Sequence, residues 1–132
     1  MRIRKKSSAP RPTEGELEIL RVLWERGPST VREVHEALGS DRRTGYTTVL
    51  KLLQIMAEKG LVQRDESERA HVYETRAPRE DTQRQLVGDL LERAFSGSAS
   101  ALVLRALSSK KTSSEEIARI RKVLDEMEGG GR

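Results

Sequence analysis

Residues 44–60, TGYTTVLKLLQIMAEKG, decide the fold. Val49, Leu52, Leu53 and Met56 fall at i, i+3, i+4 and i+7, an apolar stripe along one face of a helix. Thr47, Lys51, Gln54 and Glu58 recur on the opposite face at the same period. Gly60 followed by Leu61 predicts a stop in which glycine turns left-handed and the leucine packs back on the last turn. One face is therefore buried. The other offers hydroxyl, amide and ammonium groups, which are the groups that hydrogen-bond base edges and phosphates in a major groove. An ordinary amphipathic helix has the same pattern, so the flanking segments carry the decision.

Upstream, two helices are announced by reciprocal caps. Thr13 and Glu16 make a capping box, as do Thr30 and Glu33; in each the side chains satisfy free backbone N–H groups of the first turn. The first helix carries Leu17, Leu20 and Trp24 at i, i+3 and i+7, widened by Ile19, Val22 and Leu23, and ends at Gly27-Pro28. Trp24, the sole tryptophan, is read as a core residue whose truncation costs ~3–5 kcal/mol. The second helix buries Val31, Val34 and Leu38 and stops at Gly39, with His35 off the stripe at a surface or boundary position. Residues 40–43 form a short polar turn ending in Arg42 and Arg43. Two short helices on either side of a tight turn are a helix-turn-helix arrangement.

Downstream the period changes from 3.6 towards 2. Residues 61–64 and 70–75 read as strands around a polar turn at 65–68, a hairpin in the position of a wing. Arg64, Arg69 and His71 sit on its groove-facing side, whereas Asp65, Glu66 and Glu68 make its tip a poor phosphate clamp. Pro78 closes the unit. Three further helices follow, at 80–96, 99–107 and from a Ser113/Glu116 cap onward. The last has Ile117, Ile120, Leu124 and Met127 at coiled-coil-like spacing. These helices bring more large aliphatic surface than about 50 residues can bury alone, which predicts a homodimer. The expected seam is Leu90, Leu91, Phe95, Leu102, Leu104, Leu107, Ile117, Ile120, Leu124 and Met127.

The expected fold class is thus mainly α with a small β-hairpin: an N-terminal winged helix-turn-helix followed by a three-helix dimerisation region. The expected divisions are a basic arm at 1–12, a winged DNA-binding domain at 13–78, a helical dimerisation domain at 79–128 and a flexible tail at 129–132. The arm holds Arg2, Arg4, Lys5, Lys6 and Arg11 without an acid, so the rest of the chain contributes −1 to the net charge of +4. A cationic arm suits nucleic acid phosphates. With no cysteine in the 132 residues, disulfides, thiolate metal sites and cysteine nucleophiles are excluded. Only His35 and His71 supply imidazole, and there is no glycine-rich phosphate loop, so no enzyme, metal site or cofactor is expected. No apolar run approaches the ~20 residues of a membrane span, and no secretory signal is visible, so no membrane insertion and a cytoplasmic location are expected.

Taken together, "PTEGELEILRVLWERGPSTVREVHEAL", "YTTVLKLLQIMAEKGLV", "RAHVYETRAPRE" and "FSGSASALVLRAL" resemble the penicillinase-repressor family of bacterial transcriptional repressors, the BlaI/MecI/CopY group. The resemblance covers about residues 12–128. It implies a dimer that represses by binding double-stranded palindromic operator DNA, with recognition positions at Tyr46, Thr47, Thr48, Leu50 and Lys51. Periodicity agrees except for Leu50, which it places at the flank; Gln54 is a backbone contact, and Arg42, Arg43, Arg69 and His71 complete the expected DNA-binding set. Ile55 departs from the family, which usually has a basic residue there, and Lys51 stands where threonine is common. In the family's β-lactam branch a membrane sensor leads to proteolysis in the helical region. The matching bond here is Arg105–Ala106, where other members have Asn-Phe. The copper-responsive branch uses clustered C-terminal cysteines, which this chain lacks. The competing expectation is a winged-helix protein-interaction module that binds no operator, because fold alone does not set function.

Overall fold

A computed structural model describes residues 11–39 and 44–129. Most of the basic arm, the turn carrying Arg42 and Arg43, and the last three residues lie outside the described residues.

Helix α1 spans Glu14–Arg26. Its capping box is formed: the Thr13 backbone N–H donates to Glu16 Oε1 at 2.9 Å, and the Glu16 N–H donates to Thr13 Oγ1 at 3.2 Å. Strand β1, Ser29–Thr30, leads directly into α2, Val31–Leu38, whose box between Thr30 and Glu33 repeats those distances of 2.9 and 3.2 Å. Helix α3 spans Tyr46–Lys59. It begins two residues later than Thr44, because Gly45 takes the N-cap position and offers no side-chain cap. Its end follows the expected stop. Gly60 is left-handed at φ 90°, ψ 12°, and the Leu61 N–H donates to the Met56 carbonyl at 2.9 Å.

Strands β2 (Val62–Asp65) and β3 (Val72–Thr75) form the hairpin, with Arg64 opposite Tyr73 and Gln63 opposite Glu74. The sheet is larger than a hairpin. β3 is its central strand, and β1 pairs antiparallel on the other side, Ser29 opposite Tyr73 and Thr30 opposite Val72. A two-residue strand has no periodicity to read, so only the pairing reveals it.

The core of this first unit joins Ile19, Leu20, Val22 and Leu23 of α1 to Val31 and Val34 of α2, Val49, Leu53 and Met56 of α3, and Leu61, Val62 and Tyr73 from the sheet side. Val34, Val49, Leu53 and Met56 are fully buried. The α1 stripe is rotated from its expected centre. Leu17 and Trp24 are only partly buried at the margin, so Trp24 is a border residue and not the core residue expected of it. The reason is that α1 turns its Ile19–Leu20–Leu23 face to α2 and α3, leaving Leu17 and Trp24 on the side towards the next helix. That helix, α4, spans Arg79–Phe95.

The chain divides into two compact units, residues 1–86 and 87–132, and the division falls within α4. In the second unit, the rest of α4 is followed by a turn with Ser96 at φ 51° and Gly97 at φ 79°. Helix α5 is Ala99–Ser108, capped by Ser98, whose Oγ accepts from the Ala101 N–H at 3.1 Å. Helix α6, Ser114–Gly129, starts on Ser113 Oγ, which accepts from the Glu116 N–H at 3.0 Å, and it runs one residue into the expected tail. Neither α5 nor α6 contains a buried residue.

Candidate nucleic-acid interface

One face of the first two turns of α3 stands free of the core. Tyr46 is 48% exposed, and Thr47, Thr48, Lys51 and Gln54 are exposed with it. On the opposite face Val49, Leu53 and Met56 hold the helix down. Leu50 sits between these faces, partly buried against the core, which matches the flank position that periodicity assigns to it. Ile55 is partly buried as well, so this position offers neither a cation nor a free side chain.

Beside α3 the wing completes a concave surface. A cleft of about 490 Å³ is lined by Tyr46, Leu50 and Gln54 from α3 and by Arg64, Arg69 and His71 from the hairpin. Arg32, in the first turn of α2, lines it too. The cleft therefore gathers five of the expected DNA-binding residues, together with Arg64 of the wing. Thr47, Thr48 and Lys51 lie on the exposed surface of α3 outside its lining. Arg42 and Arg43 belong to the stretch outside the described residues.

Arg32 was not anticipated. Its capped helix start was legible, but its place beside the wing follows from β1 pairing with β3, which carries the start of α2 against the hairpin. His35 is a second addition. Its ring meets that of Tyr46 edge-on, centroids 6.1 Å apart and planes at 79°, the geometry that aromatic quadrupoles favour. His35 thus braces the first residue of α3 from the previous helix.

The electrostatics of the wing are mixed. Arg64 is held protonated by a hydrogen bond with the Tyr73 side chain and then by Glu66, whose Oε2 lies 2.6 Å from Arg64 Nε. The Asp65 carboxyl lies below its ordinary value because the Ser67 backbone N–H, 2.9 Å from Oδ1, and the Ser67 side chain favour its charged form. Two acids of the tip, Asp65 and Glu66, are thus engaged within the turn and the strand.

The other end of α3 is anchored. Lys59 Nζ lies 2.6 Å from Glu16 Oε1 and also donates to the Arg11 carbonyl at 3.2 Å. The Glu16 side chain is 3% exposed and that of Lys59 30%. One carboxylate therefore caps α1 and ties α3 to it. These residues are 43 positions apart, and no local pattern links them.

In the second unit, Leu90, Leu104, Leu124 and Met127 are exposed, at 47%, 65%, 56% and 73%, while Leu91, Phe95, Leu102, Leu107, Ile117 and Ile120 are partly covered. Val87, Val103 and Val123 add further exposed aliphatic surface. Arg105 and Ala106 are both exposed within α5. Among the described residues no His, Cys, Asp and Glu cluster could hold a metal ion, and no helix is long and apolar enough to cross a membrane.

The chain is similar to several known proteins. A family model described as penicillinase repressor matches residues 12–126. A transcriptional regulator BlaI of Mycobacterium tuberculosis (strain H37Rv) is 38% identical over 120 residues, covering 88% of this chain and 86% of the relative. A penicillinase repressor of Bacillus licheniformis is 25% identical over 117 residues, covering 89% and 91%. These names are those of regulators, as the reading of the chain as no enzyme expects. The solution structure of the DNA binding domain of the repressor BlaI superposes with a TM-score of 0.50 at 22% identity, over 58% of this chain and 93% of that one, which supports the winged fold of the first unit.

Proposed function

The chain belongs to the penicillinase repressor family, and from that premise we propose that it is a DNA-binding transcriptional repressor acting as a homodimer. The observation that carries the reading is the concave surface between α3 and the wing, where Tyr46, Gln54, Arg64, Arg69 and His71 converge beside the exposed Thr47, Thr48 and Lys51. An α-helix fits the major groove of B-form DNA, and its first turns reach the base edges. In this arrangement Thr47, Thr48 and Lys51 read base edges and Leu50 offers methylene contact to a thymine methyl. Arg32, Arg64, Arg69 and Gln54 face the flanking phosphates. His35 contributes by holding Tyr46.

A single winged unit reads one half-site. The apolar surface left on Leu90, Leu104, Leu124 and Met127 is matched most simply by a second copy, and a two-fold dimer implies a palindromic operator. We further propose that an unidentified signal relieves repression through the helical region, with a membrane sensor or a regulatory protease as partner and Arg105–Ala106 as the bond cut. The bond lies inside α5, so a protease that requires an extended substrate must first unwind that helix.

Fluorescence anisotropy against the chain's own promoter tests this reading. Binding should exceed that to scrambled duplex, and log K should fall by about 0.9 per phosphate contact per log unit of salt. Lys51→Ala should weaken promoter binding by ~1–3 kcal/mol while leaving thermal stability unchanged, because the residue is exposed. Equal affinity for promoter and scrambled duplex sinks the proposal.

A further inference from the structure

We propose that the cleft between α1 and the first turns of α4 is a binding site for a small amphipathic carboxylate, with Arg21 and Arg79 on the carboxylate and the Trp24 indole N–H as an additional donor. The cleft measures about 290 Å³, close to the lower bound of ~300 Å³ for small-molecule sites. Leu17, Trp24 and Leu86 form an apolar wall, and Arg21, Arg79, Gln83 and Glu25 form a polar rim. All of these residues belong to the first unit.

Three features define the occupant. Trp24 Nε1 is buried and has no hydrogen-bond partner among the described residues. A buried donor left in that state is costly, so an acceptor from a ligand satisfies it. Neither Arg21 nor Arg79 has an ion-pair partner among the described residues, and guanidinium groups bind carboxylates through paired N–H donors. Glu25, on the same rim, leaves the site with one excess positive charge, which suits a monoanion and disfavours a phosphate dianion. The apolar wall requires a ring or short hydrocarbon beside the carboxylate, and the volume limits it to about one ring with a short arm. α4 begins at this cleft and continues into the second unit, so an occupant joining α1 to Arg79 and Gln83 restrains the root of that helix. An effect on operator affinity rests on the function proposed above; the binding itself does not.

The single tryptophan makes the test direct, because the ¹⁵N-labelled full chain has one indole cross-peak. Sodium phenylacetate should shift that peak saturably in the micromolar to low-millimolar range. Phenylacetamide, its neutral counterpart, should bind at least about tenfold more weakly, and an Arg21→Gln/Arg79→Gln variant with an otherwise native spectrum should lose about the same factor. Ligand-observed NMR on Trp24→Phe, which keeps the wall and lacks the donor, should show weakened but detectable binding. The proposal is overturned if the indole peak does not move, if acid and amide bind equally, or if the double variant binds like the parent. It is also overturned if the peak moves on protein dilution alone, since a second copy then fills the cleft. Promoter affinity measured with and without phenylacetate separates the two readings. No promoter binding in either condition refutes the repressor reading and leaves the indole result standing. Unchanged affinity beside a saturable indole shift refutes the regulatory consequence.

Discussion

The two units of this chain spend their aliphatic side chains in opposite ways. In residues 1–86 the large apolar groups of three helices and a small sheet converge, and Val34, Val49, Leu53 and Met56 are fully buried. In residues 87–132 the helices are as well capped, yet neither α5 nor α6 buries a single residue, and Leu104 and Met127 stand 65% and 73% exposed. Capping satisfies backbone N–H groups and does nothing for side-chain hydrocarbon. The first unit has thus closed its core within one chain, whereas the second presents hydrocarbon that another surface must cover. That asymmetry fits the proposed repressor, in which the first unit would carry the groove contacts and the second would pair with a copy of itself.

The sharpest way to break the contrast is truncation on both sides. Leu53→Ala should destabilise the winged unit by ~2–5 kcal/mol at any protein concentration. Met127→Ala should leave that unit's melting unchanged and instead lower the apparent stability in a concentration-dependent way. Calorimetry at two concentrations separates them, and a concentration-independent loss in Met127→Ala would mean that the second unit closes its core alone.

A smaller effect is expected at the anchor of α3. Glu16→Ala removes both the α1 cap and the partner of Lys59. Because Lys59 is partly exposed, the loss should be about 2 kcal/mol, below the ~3–5 kcal/mol of a fully buried pair. Urea denaturation measures it, and Glu16→Gln should recover the share due to the cap.

Within the interface, His35→Ala should weaken promoter binding by ~0.5–1.5 kcal/mol through loss of the edge-on contact to Tyr46, and His35→Phe should restore most of it. Binding anisotropy at constant salt is the measurement, and a failure of Phe to rescue assigns His35 a direct contact instead. The gentlest perturbation is pH. The Asp65 carboxyl is lowered from its ordinary 3.8, so its bond to Ser67 contributes fully above that value and is lost as the pH falls below it. The Ser67 amide resonance should therefore move in that acidic window, while core amides of the first unit hold until global unfolding.

Much of the fold was legible because the information was local. Both capping boxes, the Gly60 stop and the Val49–Leu53–Met56 stripe are set by residues three or four apart, the reach of one helical turn. The change of period after Gly60 announced the hairpin for the same reason. Thr47, Lys51, Gln54 and Glu58 could be named as outward residues from spacing alone, and they are exposed.

Apart from the two-residue β1, the sequence by itself thus determined which segments become helix or strand and which faces are apolar, since backbone capping and side-chain period act within a turn or a pleat. Tertiary structure decided how those faces are shared. It brought Ser29–Thr30 alongside β3 and so Arg32 to the cleft, set His35 against Tyr46, joined Glu16 to Lys59, and turned Trp24 from the expected core to its border. Each of these depends on where distant segments meet, and that is fixed by the joint packing of three helices and a sheet around one core, a condition that no short stretch of sequence contains.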